Sequence, residues 1–250
     1  MTSTDAFNAY SRYYDLLYRD KDYTGEVAYI EGLLNRFSVT GPKLLEFGSG
    51  TGKHGRLLAE RGRQVTGIER SVEMAAQATG THGFSCQSGD IRAVRIGSNY
   101  DSVQALFHVI SYQVTTADDR ATFTSAAEHL LPGGLFVFDV WYSPAVYAQK
   151  PQVRIKRLTG KGLEITRIAE PEIHPNENRV NVHYTLFVHD LGTDLYQTFT
   201  EIHPMRHFSL PELDLLASNA GFEQVNAEEF MTGAAPGEDT WGVCLVWRRI

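Results

Sequence analysis

The sequence predicts an α/β protein: a mostly parallel sheet covered by helices on both faces, with an antiparallel sheet inserted toward its C-terminal end. Three observations predict it. Short apolar strands alternate with helical segments between residues 43 and 141, the pattern of parallel strands joined by crossover helices. Three alternating glycines, in "EFGSGTG", mark the first strand-to-helix switch. After Trp141 the pattern turns to strict two-residue alternation. In "RVNVHYTLFVHD", Val180, Val182, Tyr184, Leu186 and Val188 share one side, as in an antiparallel strand with one buried face.

Taken in order, residues 5–18 and 22–37 have helical spacing. "KLLEF" is a strand that stops at glycines, and "KHGRLLAERG" is a helix ended by Gly62 in the left-handed cap position. "QVTGIE" is the second strand, followed by a helix, "SVEMAAQA", capped by Ser71. "GFSCQ", "YDSVQALFHV" and "GLFVFDVW" are the third, fourth and fifth strands, with the helix "DDRATFTSAAEHL" before the last of them. "VRIKRL", "LEITRI", "RVNVHYTLFVHD" and, after the turn "DLGTD", "LYQTFTEIH" make the inserted sheet. The helix "LPELDLLASNAG" and a hairpin of "FEQVNAEEF" and "WGVCLVWRR" close the fold. The expected division is a helical N-terminal cap (1–40), an α/β core (41–144 and 209–250) and the insertion (145–208), in one compact unit.

Apolar residues make up 42% of the 250, enough for a sizeable core. A net charge of -7 argues against nucleic acid or an anionic membrane as partner, because both reward a basic surface. Two cysteines, Cys86 and Cys244, make no disulfide framework. The polar, aromatic N-terminus lacks the apolar core of a signal peptide, and "GGLFVFDVWYSPAVYA" is too short and interrupted to span a bilayer. A cytoplasmic protein is expected.

The glycine loop could serve three ligands. A phosphate-binding P-loop needs G-x-x-x-x-G-K-[ST], but Phe47 stands five residues before Gly52 and His54 occupies the hydroxyl position. Gly50, Gly52 and Gly55 spell the dinucleotide fingerprint, and Glu69 ends the second strand where a ribose-binding acid belongs. Glu69 suits either NAD or S-adenosylmethionine (SAM), since both present a ribose diol. Glu46, directly before the loop, discriminates: its carboxylate would repel a pyrophosphate but suits the ammonium and sulfonium of SAM. Gly48, Gly50 and Gly52 let the backbone approach the ligand.

These residues carry a resemblance. Residues 43–140 are similar to the core of class I SAM-dependent methyltransferases: "LLEFGSGTG" resembles the first motif, Glu69 the ribose-binding acid, and "SGDI" the acidic turn after strand three. "YDSVQALFHVI" resembles the fourth-strand motif beside the transferring methyl, and "LPGGLFVFD" the turn into strand five. The resemblance implies a seven-stranded Rossmann-like sheet whose last strand is antiparallel, with the insertion between strand five and the last helix. It implies SAM as cofactor, Asp90 on the adenine amino group and Ile91 against the ring. Arg70, Met74 and Phe107 complete the cofactor-binding set with Tyr18, Tyr23, Glu46, Gly48, Gly50, Gly52 and Glu69.

A finer resemblance, through "YDLLYRDKDY", "GSGTGKH", "DIRAVRIG", "HLLPGG" and "VWYSP", is to bacterial N-methyltransferases of nucleotide-linked deoxyamino sugars. It implies N-terminal aromatics over the cofactor, best matched by Tyr18 and Tyr23, and an inserted sheet that forms the acceptor pocket and a homodimer contact. Glu46 stands where Asp is usual, and His108 where small polar residues are common, so O-methylation of another small metabolite stays open. An NAD-dependent oxidoreductase and a non-catalytic SAM-binding protein are the other readings.

An amine acceptor needs only to be neutral and aligned, whereas a hydroxyl wants a base within reach. His108, at the C-terminal end of strand four, is the base candidate, with Tyr18 as its orienter. The other reading of His108 is a ring satisfied by backbone. Trp141, Tyr142, Arg154, His203 and Arg206 are the substrate-contact candidates, with Arg154, Lys156 and Arg157 as a basic group able to grip a diphosphate or to guard a strand edge. No metal site is expected: His183 and His189 share a face but stand about 20 Å apart at strand rise.

Overall fold

The structure is a computed structural model that describes residues 9–78 and 80–250. The first four residues of the helix expected at 5–18 lie outside the described residues. The chain opens with α1 (Ala9–Leu17) and α2 (Tyr23–Arg36). Asp22 starts α2 by accepting a hydrogen bond from Gly25 N at 2.8 Å, and Val27, Ile30, Leu33 and Leu34 bury one stripe of it.

Next comes the alternating core: β1 (Lys43–Phe47), α3 (Lys53–Glu60), β2 (Gln64–Glu69), α4 (Val72–Gln77), β3 (Phe84–Ser88), β4 (Tyr100–Ala105), α5 (Thr116–His129) and β5 (Leu130–Tyr142). Caps behave as the sequence predicts, with the Ser71 hydroxyl accepting from Met74 N at α4. α6 (Ser143–Gln149), with Pro144 in its first turn, was not anticipated. It leads into β6 (Arg154–Gly160), β7 (Leu163–His174), β8 (Arg179–Asp190) and β9 (Leu195–Phe208), and α7 (Leu210–Asn219), β10 (Phe222–Glu229) and β11 (Gly242–Arg249) finish the chain.

β1 to β5 are parallel in the order β3-β2-β1-β4-β5, and antiparallel β11 lies beside β5 with β10 outside it. That is the expected seven-stranded core. β5 alternates between two packed layers. Phe136, Phe138 and Val140 meet Phe123, Phe222 and Trp247 under α5 and α7, while Leu135 and Val137 meet Val27, Ile30 and Leu58 under α2 and α3.

The whole hydrogen-bonded sheet has eleven strands rather than seven. The join is short: Trp141 and Tyr142 of β5 pair in parallel with His207 and Phe208 of β9. Backbone geometry explains it. β4, expected to run through residue 109, stops at Ala105 because Phe107 and His108 take left-handed conformations, φ 65° and 63°. The last residues of β5 therefore lose β4 as neighbour and take β9 on that edge, with β11 on the other. On its inner face the insertion receives α1: Tyr10, Leu16 and Leu17 pack with Leu158, Ile165, Leu186 and Val188. No helix among the described residues is long and apolar enough to cross a membrane.

Candidate active site

A cleft of about 650 Å³ opens over the C-terminal ends of β1, β2, β4 and β5, roofed by α1 and walled by the insertion. That size suits a metabolite-sized ligand. Its first half is built by the glycine loop. Gly48 and Gly50 have φ of 67° and 56°, and a Cβ on Gly48 would lie 2.4 Å from Val109 Cγ2. Gly50 N donates to Glu69 Oε2 and Ser71 N to Glu69 Oε1, each at 2.8 Å, so the acid at the end of β2 is pinned at the cleft floor. Burial raises the Glu69 carboxyl above its ordinary value against the pull of those N–H groups. Met74 and Ile91 line the same half, and Arg70 stands at its exposed rim. Asp90 also lines it, held below the usual carboxylate range by hydrogen bonds from Arg92, which bridges to Asp118. A pinned acid, a close-approach glycine turn and an apolar ledge fit a ribose, a backbone-hugging amino-acid tail and an adenine, the three parts of SAM.

Two expected cofactor contacts are not on the cleft. Glu46 is 2% exposed, and its carboxylate accepts from Gln104 Nε2 at 3.0 Å. Its strand position pairs it with Gln104 on β4 and turns it under α3, where a Cβ on Gly55 would come 2.7 Å from Glu46 Oε2. Burial pushes this carboxyl up to about 8, with the charge of Glu69 adding to it. Glu46 thus packs beneath the loop and does not face the cleft, contrary to the charge argument drawn from its position. Gly52 caps α3 with φ 79° and faces the Phe84 ring, so it shapes the turn and does not line the cleft.

The cap is tied to the loop. Thr51 Oγ1 donates to Asp15 Oδ1 at 2.8 Å, Lys53 pairs with Asp15 at 3.6 Å, and His54 Nε2 lies 2.7 Å from Glu26, which also pairs with Lys21. Tyr23 lies edge-on to His54 at 4.9 Å, and the Tyr18 ring meets Phe107 edge-on at 5.0 Å, so both expected aromatics line the cleft.

At the junction of the two halves stands His108. Its Nδ1 lies 2.6 Å from Asp139 Oδ2, and its backbone N–H donates to both Asp139 oxygens at 3.2 Å. Asp139 is 1% exposed. Burial would raise its carboxyl, but the charge and hydrogen bonds of His108 outweigh that and hold it below the ordinary range. One buried carboxylate thus fixes both the imidazole and the left-handed backbone beneath it, a cost of about 1–3 kcal/mol at each such residue. His108, singled out in the sequence, lines the cleft; Asp139 was not singled out, although a lone acid in the apolar run "LFVFDVW" was its signal.

The second half belongs to α1 and the insertion. His203 is 2% exposed and lines the cleft, with Nδ1 2.9 Å from Tyr112 OH and Nε2 3.2 Å from Glu201. Trp141 lines it too, edge-on to His108 at 6.1 Å. Its neighbour Tyr142 alternates to the other side and packs on the core. Arg206 is not a contact either: its guanidinium is consumed by Asp119 at 2.7 Å and Glu212 at 2.6 Å. Arg154 is exposed on β6 away from the cleft, and Lys156 donates instead to Leu17 O at 2.6 Å, docking α1. Tyr10, Tyr14, Tyr112, Arg167, Tyr184 and Trp241 were not anticipated. For Arg167 the signal existed: in "LEITRIA" it falls in step with Ile165 and Ala169, both buried.

Comparison with known proteins agrees with the fold. The profile of a methyltransferase domain covers residues 44–134. The chain is 29% identical to a dTDP-3-amino-3,4,6-trideoxy-alpha-D-glucopyranose N,N-dimethyltransferase of Streptomyces venezuelae, over 90% of this chain and 92% of that one. It is 28% identical to a dTDP-3-amino-3,6-dideoxy-alpha-D-glucopyranose N,N-dimethyltransferase of Streptomyces fradiae, over 90% and 86%. Among solved structures, Streptomyces venezuelae DesVI superposes with a TM-score of 0.81 at 25% identity, covering 96% of this chain and 98% of that one. An S-adenosylmethionine-dependent methyltransferase of Clostridium acetobutylicum shares the fold at a TM-score of 0.80 and 16% identity, covering 97% and 99%.

Proposed function

We propose that this SAM-dependent methyltransferase methylates the amino group of a nucleotide-linked deoxy sugar. The observation that carries the reading is the placement of the His108–Asp139 pair between a glycine-loop cofactor half and an acceptor half built from α1 and the insertion. The activities of the Streptomyces relatives, amino-sugar N,N-dimethylation, supply the acceptor class. In this division the core (41–144 and 209–250) holds the cofactor through Tyr18, Tyr23, Gly48, Gly50, Glu69, Arg70, Met74, Asp90, Ile91 and Phe107, with the two tyrosines lent by the cap. The insertion and α1 hold the acceptor.

Bound there, SAM supplies a methyl group on a positively charged sulfur. The chain's own task is alignment: α1 and the insertion fix the acceptor, and the floor at Gly48 and Gly50 fixes its partner, so positioning supplies most of the rate. His108, with Nδ1 engaged by Asp139, keeps Nε2 to accept the proton the amine sheds. The net charge of -7 supports a small acceptor rather than a nucleic acid. The outer face of the insertion exposes Ile155, Phe187, Tyr196 and Ile202 (45–74% exposed), which supports a homodimer through that sheet. Light scattering of the purified protein tests this second point, and a monomer at micromolar concentration refutes it.

The test of the activity is a panel of dTDP-linked 3-amino and 4-amino sugars and their hydroxyl counterparts, incubated with SAM and read by product mass. Methylation of amino sugars alone is the expected result. Methylation of the hydroxyl analogues would replace the reading with O-methyl transfer, in which His108 becomes an obligatory base.

A further inference from the structure

We infer that Arg167 grips the anionic link of the acceptor, so that the site selects an amine joined to a phosphate or diphosphate. The inference rests on the amino-sugar nucleotide reading above and assigns the residue that recognises its charged part. Arg167 lies on the inner face of β7, opposite Leu186, and lines the acceptor half of the cleft. Its Nη1 donates to Tyr10 OH at 3.1 Å, its guanidinium lies 5.4 Å from the Tyr184 ring, and its Nε has no hydrogen-bond partner among the described residues.

What sets it apart is the missing counter-charge. Two other cleft cations, Lys53 and Arg92, are paired, with Asp15 and with Asp90 and Asp118, and Arg70 stands at the exposed rim of the cofactor side. Among the described residues no carboxylate lies within ion-pair distance of Arg167, although it is partly buried. Glu201, whose Oε1 accepts from Tyr10 N, is engaged with His203 instead. A partly shielded cation without a counter-charge calls for an anion from the ligand. A planar fork of N–H donors matches two phosphate oxygens. The Tyr184 face holds the fork in plane, and the Tyr10 and Tyr18 hydroxyls, 3.0 Å apart, extend the donor surface toward Phe107. The basic group on β6 that the sequence offered for this task is exposed or spent on docking α1.

The experiment compares wild type with Arg167→Met and Arg167→Lys, each loaded with S-adenosylhomocysteine. Calorimetry measures thymidine diphosphate binding, and steady-state assays measure KM and kcat for a dTDP-linked amino sugar. Arg167→Met is expected to lose about ten- to hundredfold in thymidine diphosphate affinity and to raise the acceptor KM by a similar factor. Its S-adenosylhomocysteine affinity and kcat stay within about threefold, and Arg167→Lys recovers part of the loss. A folded Arg167→Met that binds thymidine diphosphate as tightly as wild type overturns the inference, as does a wild type that does not bind it at all. Should wild type bind thymidine diphosphate through Arg167 yet methylate no amino-sugar nucleotide, the assignment of Arg167 stands and the acceptor reading falls.

Discussion

Asp139 and Glu46 are both buried carboxyls, 1% and 2% exposed; burial raises each, and only at Asp139 does the partner outweigh it. Asp139 faces an imidazole and an N–H, so it stays charged. Replacing it with Asn removes a charge-assisted bond and frees the left-handed turn at His108. Asp139→Asn should cost about 1.5–3 kcal/mol at neutral pH and lower kcat. Because the folded-state value of Asp139 is depressed, its contribution is present above the ordinary carboxylate range and is lost as pH falls through the depressed value. Denaturant unfolding at several pH values should therefore show the two proteins converging in acid, and a gap that widens in acid would contradict the pairing. Glu46 is the reverse case. A carboxyl raised to about 8 binds its proton more tightly folded than unfolded, so it erodes stability as pH rises from the ordinary range to about 8. Glu46→Gln should be more stable than wild type, with an advantage that opens across that window and then levels. It should also bind S-adenosylhomocysteine within about threefold of wild type. A large loss of binding would return Glu46 to the cleft.

At the scale of elements, the cofactor half and the acceptor half sit on different pieces of the chain, and substitutions should separate accordingly. Glu69→Ala removes the acceptor of the Gly50 and Ser71 N–H groups, and should weaken S-adenosylhomocysteine binding about ten- to hundredfold by calorimetry. His203→Phe keeps a ring among Tyr112, Tyr184 and Tyr10 but loses its hydrogen bonds, and should raise the acceptor KM about tenfold with cofactor affinity unchanged. Cross-talk between the two readouts would mean that the halves are not separate. Much of this layout was legible in the sequence. The glycine turn, Glu69 and Asp90 are local signals, set by residues adjacent along the chain, and strand alternation put Val180 to Val188 on the inner face. What escaped depends on partners far apart in sequence. Asp139 reaches His108 across 31 residues, and Arg206 is consumed by Asp119 across 87, a distance no local pattern reveals. Tyr142 and Glu46 stand next to motifs along the chain, but the side of the strand on which each falls turns it away from the cleft.

Over the whole molecule, one interruption organises the site. The left-handed pair Phe107–His108 ends β4 early, which lets β9 join β5 and brings the insertion beside the cofactor half. The placement of His108 and that of the insertion therefore share a cause. The central claim is that a nucleotide-linked amine meets the cofactor at His108. The most direct measurement is a crystal structure of the protein with S-adenosylhomocysteine and a dTDP-linked amino sugar. The predicted result has the amine nitrogen in line with the cofactor sulfur, within hydrogen-bond reach of His108 Nε2, and the diphosphate against Arg167. An acceptor seated with its amine away from His108, or outside the cleft between α1 and the insertion, would contradict the account.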